Sequence, residues 1–214
     1  MPHFKSMEEA HERHKNYDID TDEEMKYDMN NLYNPQKNRL NFIINATPEN
    51  SFILEVGCNS GGLLRTLSNE KKCYCKGIDI SEKMVERARD KGFPAVVGSA
   101  ESLPFNPEIF DAVLMTEVLE HIYAPEAAIV EAKRVLMPGG VFIGTVPHPK
   151  SQNATKKSNE KHDWHCHTFS EKSLIDLLSK HFVNPYLETI SFYNDLENKP
   201  QYIGWICKKE KKWN

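Results

Sequence analysis

The sequence predicts an α/β fold built around a mostly parallel sheet. Three observations point there. Short β-rich runs alternate with helical patterns from Phe52 onward, as in a parallel sheet covered by helices. The run over 74–80 alternates poorly between apolar and polar, the mark of a central strand buried on both sides. The stretch ILEVGCNSGG at 53–62 is an apolar run that ends in an acid and breaks into glycines. A strand, a glycine turn and a helix together present backbone N–H groups at the carboxyl edge of a sheet.

Residues 1–50 are charged and rich in Asn, Asp and Tyr, and read as an N-terminal helical cap. A helix is expected over 22–45, with Leu32, Leu40, Phe42 and Ile43 as its apolar positions. The remainder, 51–214, forms the main part of a single globular unit. Its strands are expected at 52–56, 74–80, 95–97, 110–115 and 141–146. A helix starts at Pro125, which suits a first turn, and Ala128, Ile129, Ala132, Val135 and Leu136 share its inner face. Gly139 and Gly140 are expected to end it. A polar stretch at 150–163 leads to a helix near Ser170 with Leu174, Ile175, Leu177 and Leu178 on one face, and strands over 183–192 and 202–208 close the chain.

The chain has 214 residues, and Lys plus Arg 27 against Asp plus Glu 31 gives a net charge of −4. No overall positive field exists to hold nucleic acid, and none is expected as a partner. The basic runs Lys156-Lys157 and 208–212 read as solvated surface. Five cysteines, an odd number at irregular spacing, argue for a reducing compartment. No signal-peptide core or apolar membrane span is evident, so a cytoplasmic location is expected, with the oligomeric state open.

The glycine turn does not fit a dinucleotide. That pattern needs glycine at its first, third and sixth positions, and Asn59 stands between Gly57 and Gly62. No Lys-Ser or Lys-Thr follows, which removes a P-loop. Glu55 at the strand end would repel a pyrophosphate and would suit a ligand with an ammonium group. Asp79 ends the second run roughly 20 residues on, where an acid can accept ribose hydroxyls.

These residues resemble the class I S-adenosylmethionine-dependent methyltransferases. Glu55-Val56-Gly57-Cys58-Asn59-Ser60-Gly61 is similar to the family's first motif, and Gly77-Ile78-Asp79-Ile80-Ser81 to its ribose acid with a following N-cap serine. Gly98-Ser99-Ala100-Glu101-Ser102-Leu103-Pro104-Phe105 resembles the stretch lining the adenine, and Phe110-Asp111-Ala112-Val113 the fourth strand. Arg134-Val135-Leu136-Met137-Pro138-Gly139-Gly140 resembles the turn before the fifth. The resemblance implies a three-layer α/β/α sandwich around a seven-stranded sheet of order 3-2-1-4-5-7-6, with the last strand antiparallel.

It also implies S-adenosyl-L-methionine as cofactor, held by Glu55, Gly57, Cys58, Gly61, Asp79, Ile80, Ser99, Ala100, Glu101 and Glu117, with Leu103 as an apolar wall. Ser99 stands where many relatives carry an aspartate, so the adenine contact falls to its hydroxyl, to Glu101 or to the main chain. The implied activity is methyl transfer to a small-molecule acceptor at oxygen. An RNA or protein acceptor, or a non-catalytic cofactor-binding partner, is the alternative.

Catalytic candidates are His121, Glu117, Glu120 and His167. Histidine has an unperturbed pKa near neutrality, so His121 serves either as a base or as packing against the cofactor. Glu117, Glu120 and His121 share a face on a helical turn, and this stretch resembles the quinone-biosynthesis O-methyltransferases. A divalent cation is therefore an alternative, weakened by Ala124 where a further acid is expected, and no residue is assigned to a metal. The His and Cys spacing of the stretch 162–170 fits no paired zinc pattern, and because it follows the fifth strand at the cofactor edge it reads as a pocket wall in which Trp164, His165 and His167 meet an acceptor. One of Tyr17, Tyr27 and Tyr33 is expected to close over the cofactor.

Overall fold

In the computed structural model, residues 6–15, 34–151, 165–193 and 198–211 are described. The elements are α1 (Met7–Lys15), α2 (Asn34–Ala46), β1 (Phe52–Val56), α3 (Gly62–Lys71), β2 (Tyr74–Asp79), α4 (Glu82–Asp90) and β3 (Ala95–Val97). Then come β4 (Phe110–Thr116), a 3-10 turn (Leu119–His121), α5 (Pro125–Val135), β5 (Leu136–Pro147), α6 (Glu171–Leu178), β6 (Tyr186–Tyr193) and β7 (Asn198–Lys208).

The strands form one seven-stranded sheet of order β3-β2-β1-β4-β5-β7-β6. β1 to β5 pair in parallel, while β7 runs antiparallel to both β5 and β6. This is the expected three-layer sandwich.

Each face of the sheet buries its own apolar cluster, as strand alternation requires. On one face Leu54 and Val56 of β1 and Val113 and Met115 of β4 pack with Ala128, Ile129 and Ala132 of α5 and Leu174 and Leu178 of α6. On the other, Ile53, Ala112, Leu114 and Ile143 pack with Leu40 and Ile43 of α2, Leu63, Leu64 and Leu67 of α3, and Val85 and Ala88 of α4. Thus α2 is a member of the helical layer, and among the described helices α1 stands apart from the sheet.

Trp205 of β7 is fully buried against Phe142, with ring centroids 5.5 Å apart. The neighbouring strand makes room through Gly144, where an added Cβ would lie 2.1 Å from Trp205 Cζ2. At α6, Ser170 Oγ accepts from Ser173 N–H and Ser173 Oγ accepts from Ser170 N–H, a reciprocal capping box.

Several boundaries differ from the expectation. The glycine pair does not end α5, which stops at Val135, and Leu136 already belongs to β5. Gly139 N–H donates to Lys209 O and Lys209 N–H to Gly140 O, so pairing with the chain beyond β7 overrides local turn chemistry. β2 stops at Asp79, β6 starts at Tyr186 and β7 starts at Asn198. α2 begins at Asn34; the earlier part of the expected helix, with Leu32, lies outside the described residues. No described helix is long and apolar enough to cross a membrane.

Candidate active site

A cavity of about 410 Å³ opens where β1, β2 and β4 end, and α1 roofs it. It lies within the range of small-ligand pockets and at the carboxyl edge where open α/β sheets receive their ligands.

The turn after β1 is built for close approach. Gly57 has φ +72°, and an added Cβ would lie 2.4 Å from Val118 Cγ2. Asn59 takes φ 48°, a left-handed conformation that asparagine tolerates better than most residues. Its N–H donates to Asp79 Oδ2 at 2.8 Å, while Ser81 N–H donates to Asp79 Oδ1 at 2.9 Å. Burial pushes the Asp79 carboxyl above its usual range, and bonds from the Ser81, Asn59 and Ile80 amides partly oppose this. Ser81 occupies the N-cap of α4 without capping it: the residue lines the cavity, and its buried hydroxyl has no hydrogen-bond partner among the described residues.

Beyond β3, Ser99, Ala100 and Glu101 line the same cavity. Glu101 is already well engaged, since it accepts from Ser99 Oγ at 3.1 Å and Ala124 N–H at 2.9 Å, and it pairs with His11 of α1. That pair ties the roof to the wall.

At the end of β4, Glu117 adopts φ 56°, a strained conformation of the kind that gathers at functional sites. Its Oε1 accepts from Thr145 Oγ1 at 2.9 Å, and its Oε2 lies 3.7 Å from Arg39 Nη1. Arg39 is buried in α2 and lies over the Tyr202 ring, 5.0 Å from the centroid. Both line the cavity, and burial pushes the Tyr202 phenol up. Beside them sits His121, whose Nδ1 is 3.4 Å from His14 Nε2.

Of the residues singled out from sequence, Gly57, Asp79, Ile80, Ser99, Ala100, Glu101, Glu117 and His121 line this one cavity. Glu55, Cys58, Gly61, Leu103, Glu120 and His167 do not. Glu55 shares the face of β1 that carries Ile53 and is buried behind the turn. Cys58 packs there too, and burial, then Glu55, raises its thiol pKa well above the usual value. Glu120 is buried under the 3-10 turn, and burial, then Glu117, raises its carboxyl pKa well above the usual range. His167 faces away, towards Tyr123 O at 3.2 Å.

Tyr17, Tyr27, Tyr33 and Trp164 lie outside the described residues. His11, His14, Arg39 and Tyr202 are site residues that sequence reasoning missed. No local pattern marks them, because each is delivered by tertiary packing.

The comparisons agree with this geometry. Residues 54–144 match the family model described as a methyltransferase domain. A solved S-adenosylmethionine-dependent methyltransferase from Thermotoga maritima superposes with a TM-score of 0.67 at 26% identity, over 81% of this chain and 88% of that one. Residues 54–144 are a methyltransferase domain, and the fold is that of the solved S-adenosylmethionine-dependent methyltransferase.

Among sequence relatives of this methyltransferase, an uncharacterised protein of Methanocaldococcus jannaschii is 29% identical over 201 residues, 76% of this chain and 78% of that one. A tRNA (carboxymethyluridine(34)-5-O)-methyltransferase of Arabidopsis thaliana is 34% identical over 106 residues, 48% of this chain and 26% of that one. The chain thus matches only about a quarter of the plant protein's length.

Proposed function

We propose that this chain transfers the methyl group of S-adenosylmethionine to an oxygen atom of a small molecule. The observation that carries the reading is the roofed cavity: the His11–Glu101 pair ties α1 over the pocket that contains Asp79 and Glu117. A small acceptor suits such an enclosure, whereas a macromolecule would have to displace α1.

The residues fit the cofactor. S-adenosylmethionine supplies an electrophilic methyl group on a sulfonium and carries a ribose diol, an adenine, an ammonium and a carboxylate, with no phosphate. Asp79 and the unpartnered Ser81 hydroxyl would receive the polar ribose side, and Ile78, Ile80 and Met84 provide apolar walls for a base. Arg39 and Glu117, of opposite charge and 3.7 Å apart, would receive the carboxylate and the ammonium. Glu55, Cys58 and Gly61 would act from behind, by holding the turn's shape.

His121 and Ile122 form the wall assigned here to the acceptor. A hydroxyl must lose its proton as it is alkylated, and this wall offers an imidazole, the side chain suited to such exchange near neutral pH. Glu120 and His167 would act through His121: Cys166 N–H and His167 N–H both donate to Glu120 O, which fixes the turn that carries it. An RNA acceptor is the second reading, favoured by the likeness to the plant tRNA methyltransferase. The net charge of −4 does not remove it, because a local surface can bind RNA in an acidic chain.

The test supplies S-adenosylmethionine with a tritiated methyl group to the protein in a cell extract. RNA, protein and low-mass pools are then separated. Label in the low-mass pool, in a product heavier by one CH2 at oxygen, is expected. Label in the RNA pool would overturn the small-molecule reading.

A further inference from the structure

Beside the cavity, under α1, the chain gathers a cluster of ligating side chains from two separate segments. Glu120 and His121 come from the 3-10 turn, and His165 from the segment before α6. One ligand atom from each lies within 4.8 Å of the other two. The His121 and His165 rings are 4.8 Å apart, and His14 of α1 stands 5.2 Å from His121 on the other side.

Two features indicate that this cluster is prepared for a cation. The Glu120 carboxylate is 1% exposed, and neither oxygen has a hydrogen-bond partner among the described residues; His121 Nε2 lies 3.8 Å from Oε1. Buried carboxylates are ordinarily hydrogen-bonded or coordinated to a metal.

The second feature is the orientation of His121. His14 Nδ1 lies 2.7 Å from Ala10 O, and a carbonyl can only accept, so Nδ1 carries the hydrogen. In the neutral ring His14 Nε2 is then an acceptor, and His121 Nδ1, 3.4 Å away, is its donor. The lone pair of His121 is thereby left on Nε2, the atom that faces Glu120. A hydrogen bond behind one ring nitrogen that frees the other is how metal-ligating histidines are commonly fixed. His165 is held by the same turn, since Cys166 N–H donates to Glu120 O at 2.7 Å and Cys166 Sγ to His121 O at 3.1 Å.

We propose that Glu120, His121 Nε2 and His165 bind one divalent transition-metal ion, with Zn2+ the best match to the donor set. Two imidazoles and one carboxylate with a fourth position open is a catalytic zinc arrangement, whereas Mg2+ and Ca2+ favour sets made of oxygen. The ligands have to close by about 1 Å to reach zinc bonding distances, a side-chain adjustment. The set differs from the trio of Glu117, Glu120 and His121 read from spacing, because Glu117 is turned to Thr145 and Arg39.

The experiment uses the full chain without an affinity tag, stripped with EDTA and checked for folding by circular dichroism. Zn2+ is titrated calorimetrically and Co2+ by its visible absorption, with S-adenosylhomocysteine titrated separately as a control. One ion per chain and a tetrahedral Co2+ spectrum are expected. Glu120→Gln and His165→Gln are each expected to weaken Zn2+ by about 100-fold or more, with S-adenosylhomocysteine affinity retained in His165→Gln. Folded protein that takes up no Zn2+, or variants that bind it like the parent, would overturn the site. Loss of S-adenosylhomocysteine binding in the parent would count against the cofactor reading instead.

Discussion

Arg134 clasps Glu131 one turn back on α5, with Nε 2.6 Å from Oε1 and Nη2 2.7 Å from Oε2. The same pair grips the chain that follows the Ser99–Glu101 turn: Glu131 accepts from Leu103 N–H, and Arg134 donates to Leu103 O and Phe105 O. A helix on one face of the sheet thereby steadies a wall of the cavity.

The first prediction concerns this clasp and pH. Hydrogen bonds from Arg134 hold the Glu131 carboxyl below its usual value of 4.5, against a smaller opposing effect of burial. An acid depressed in the folded state stabilises above its unfolded pKa, and that stability is lost as pH falls through the folded value. Glu131→Gln should therefore cost about 1 kcal/mol at pH 7, the upper part of the range for a partly solvated pair. The difference should shrink in thermal melts at pH 3.5, and an equal difference at both pH values would show that the carboxylate charge is not responsible.

Gly57→Ala tests the turn. The new methyl would meet Val118 Cγ2 at 2.4 Å and would sit at φ +72°. Both effects point the same way, and the substitution should lower stability by about 1–3 kcal/mol. S-adenosylhomocysteine affinity should fall at least about tenfold, since backbone strain of this size is shared with the binding turn. Adding Val118→Ala should recover the steric part alone, which separates crowding from backbone strain.

Much of this site was legible in the sequence, for a physical reason. β1 and β4 are buried on both faces, so they read as near-continuous apolar runs, and a parallel sheet delivers their ends and that of β2 to one edge. Gly57, Asp79 and Glu117 are therefore found together from position in the chain alone. Glu55 shows where such reasoning stops, because strand alternation puts it on the face of Ile53, away from the cavity. His11, His14 and Arg39 were hidden because their helices carry no local sign of what they cover. His165 and His121 meet because Glu120 O receives two backbone donors from the chain 46 and 47 residues on. β5 began early for a similar reason, since its pairing partner lies at the far end of the chain.

Asp79→Ala should weaken S-adenosylhomocysteine binding by about 1–3 kcal/mol, through lost bonds to a charged acceptor. It also strips the Asn59 and Ser81 amides of their acceptor, so a lower Tm should accompany it. Calorimetry and melting together check this, and unchanged affinity would remove Asp79 from the cofactor site.

The five cysteines provide a test of the fold that involves no ligand. All are buried and free, and burial pushes the thiols of Cys75 and Cys207 up to about 12 and that of Cys166 to about 11. Since only the thiolate reacts readily, native protein at pH 8 should consume almost no Ellman's reagent, and protein in guanidinium should titrate all five.

His121→Ala separates the acceptor wall from the cofactor pocket. His121 lines the same cavity as Asp79, with His14 on one side of its ring and Glu120 3.8 Å from its Nε2. Truncation should lower the rate of methyl transfer by about 10²-fold or more, whether the imidazole takes a proton directly or acts as a metal ligand. S-adenosylhomocysteine affinity should stay within about threefold, because the bonds assigned to the cofactor come from Asp79, Ser81, Arg39 and Glu117. Single-turnover rates and calorimetry on the same preparation give both quantities. A loss of affinity that matched the loss of rate would mean that His121 packs against the cofactor, and the acceptor wall would then have to be sought along Ile122 and Tyr202.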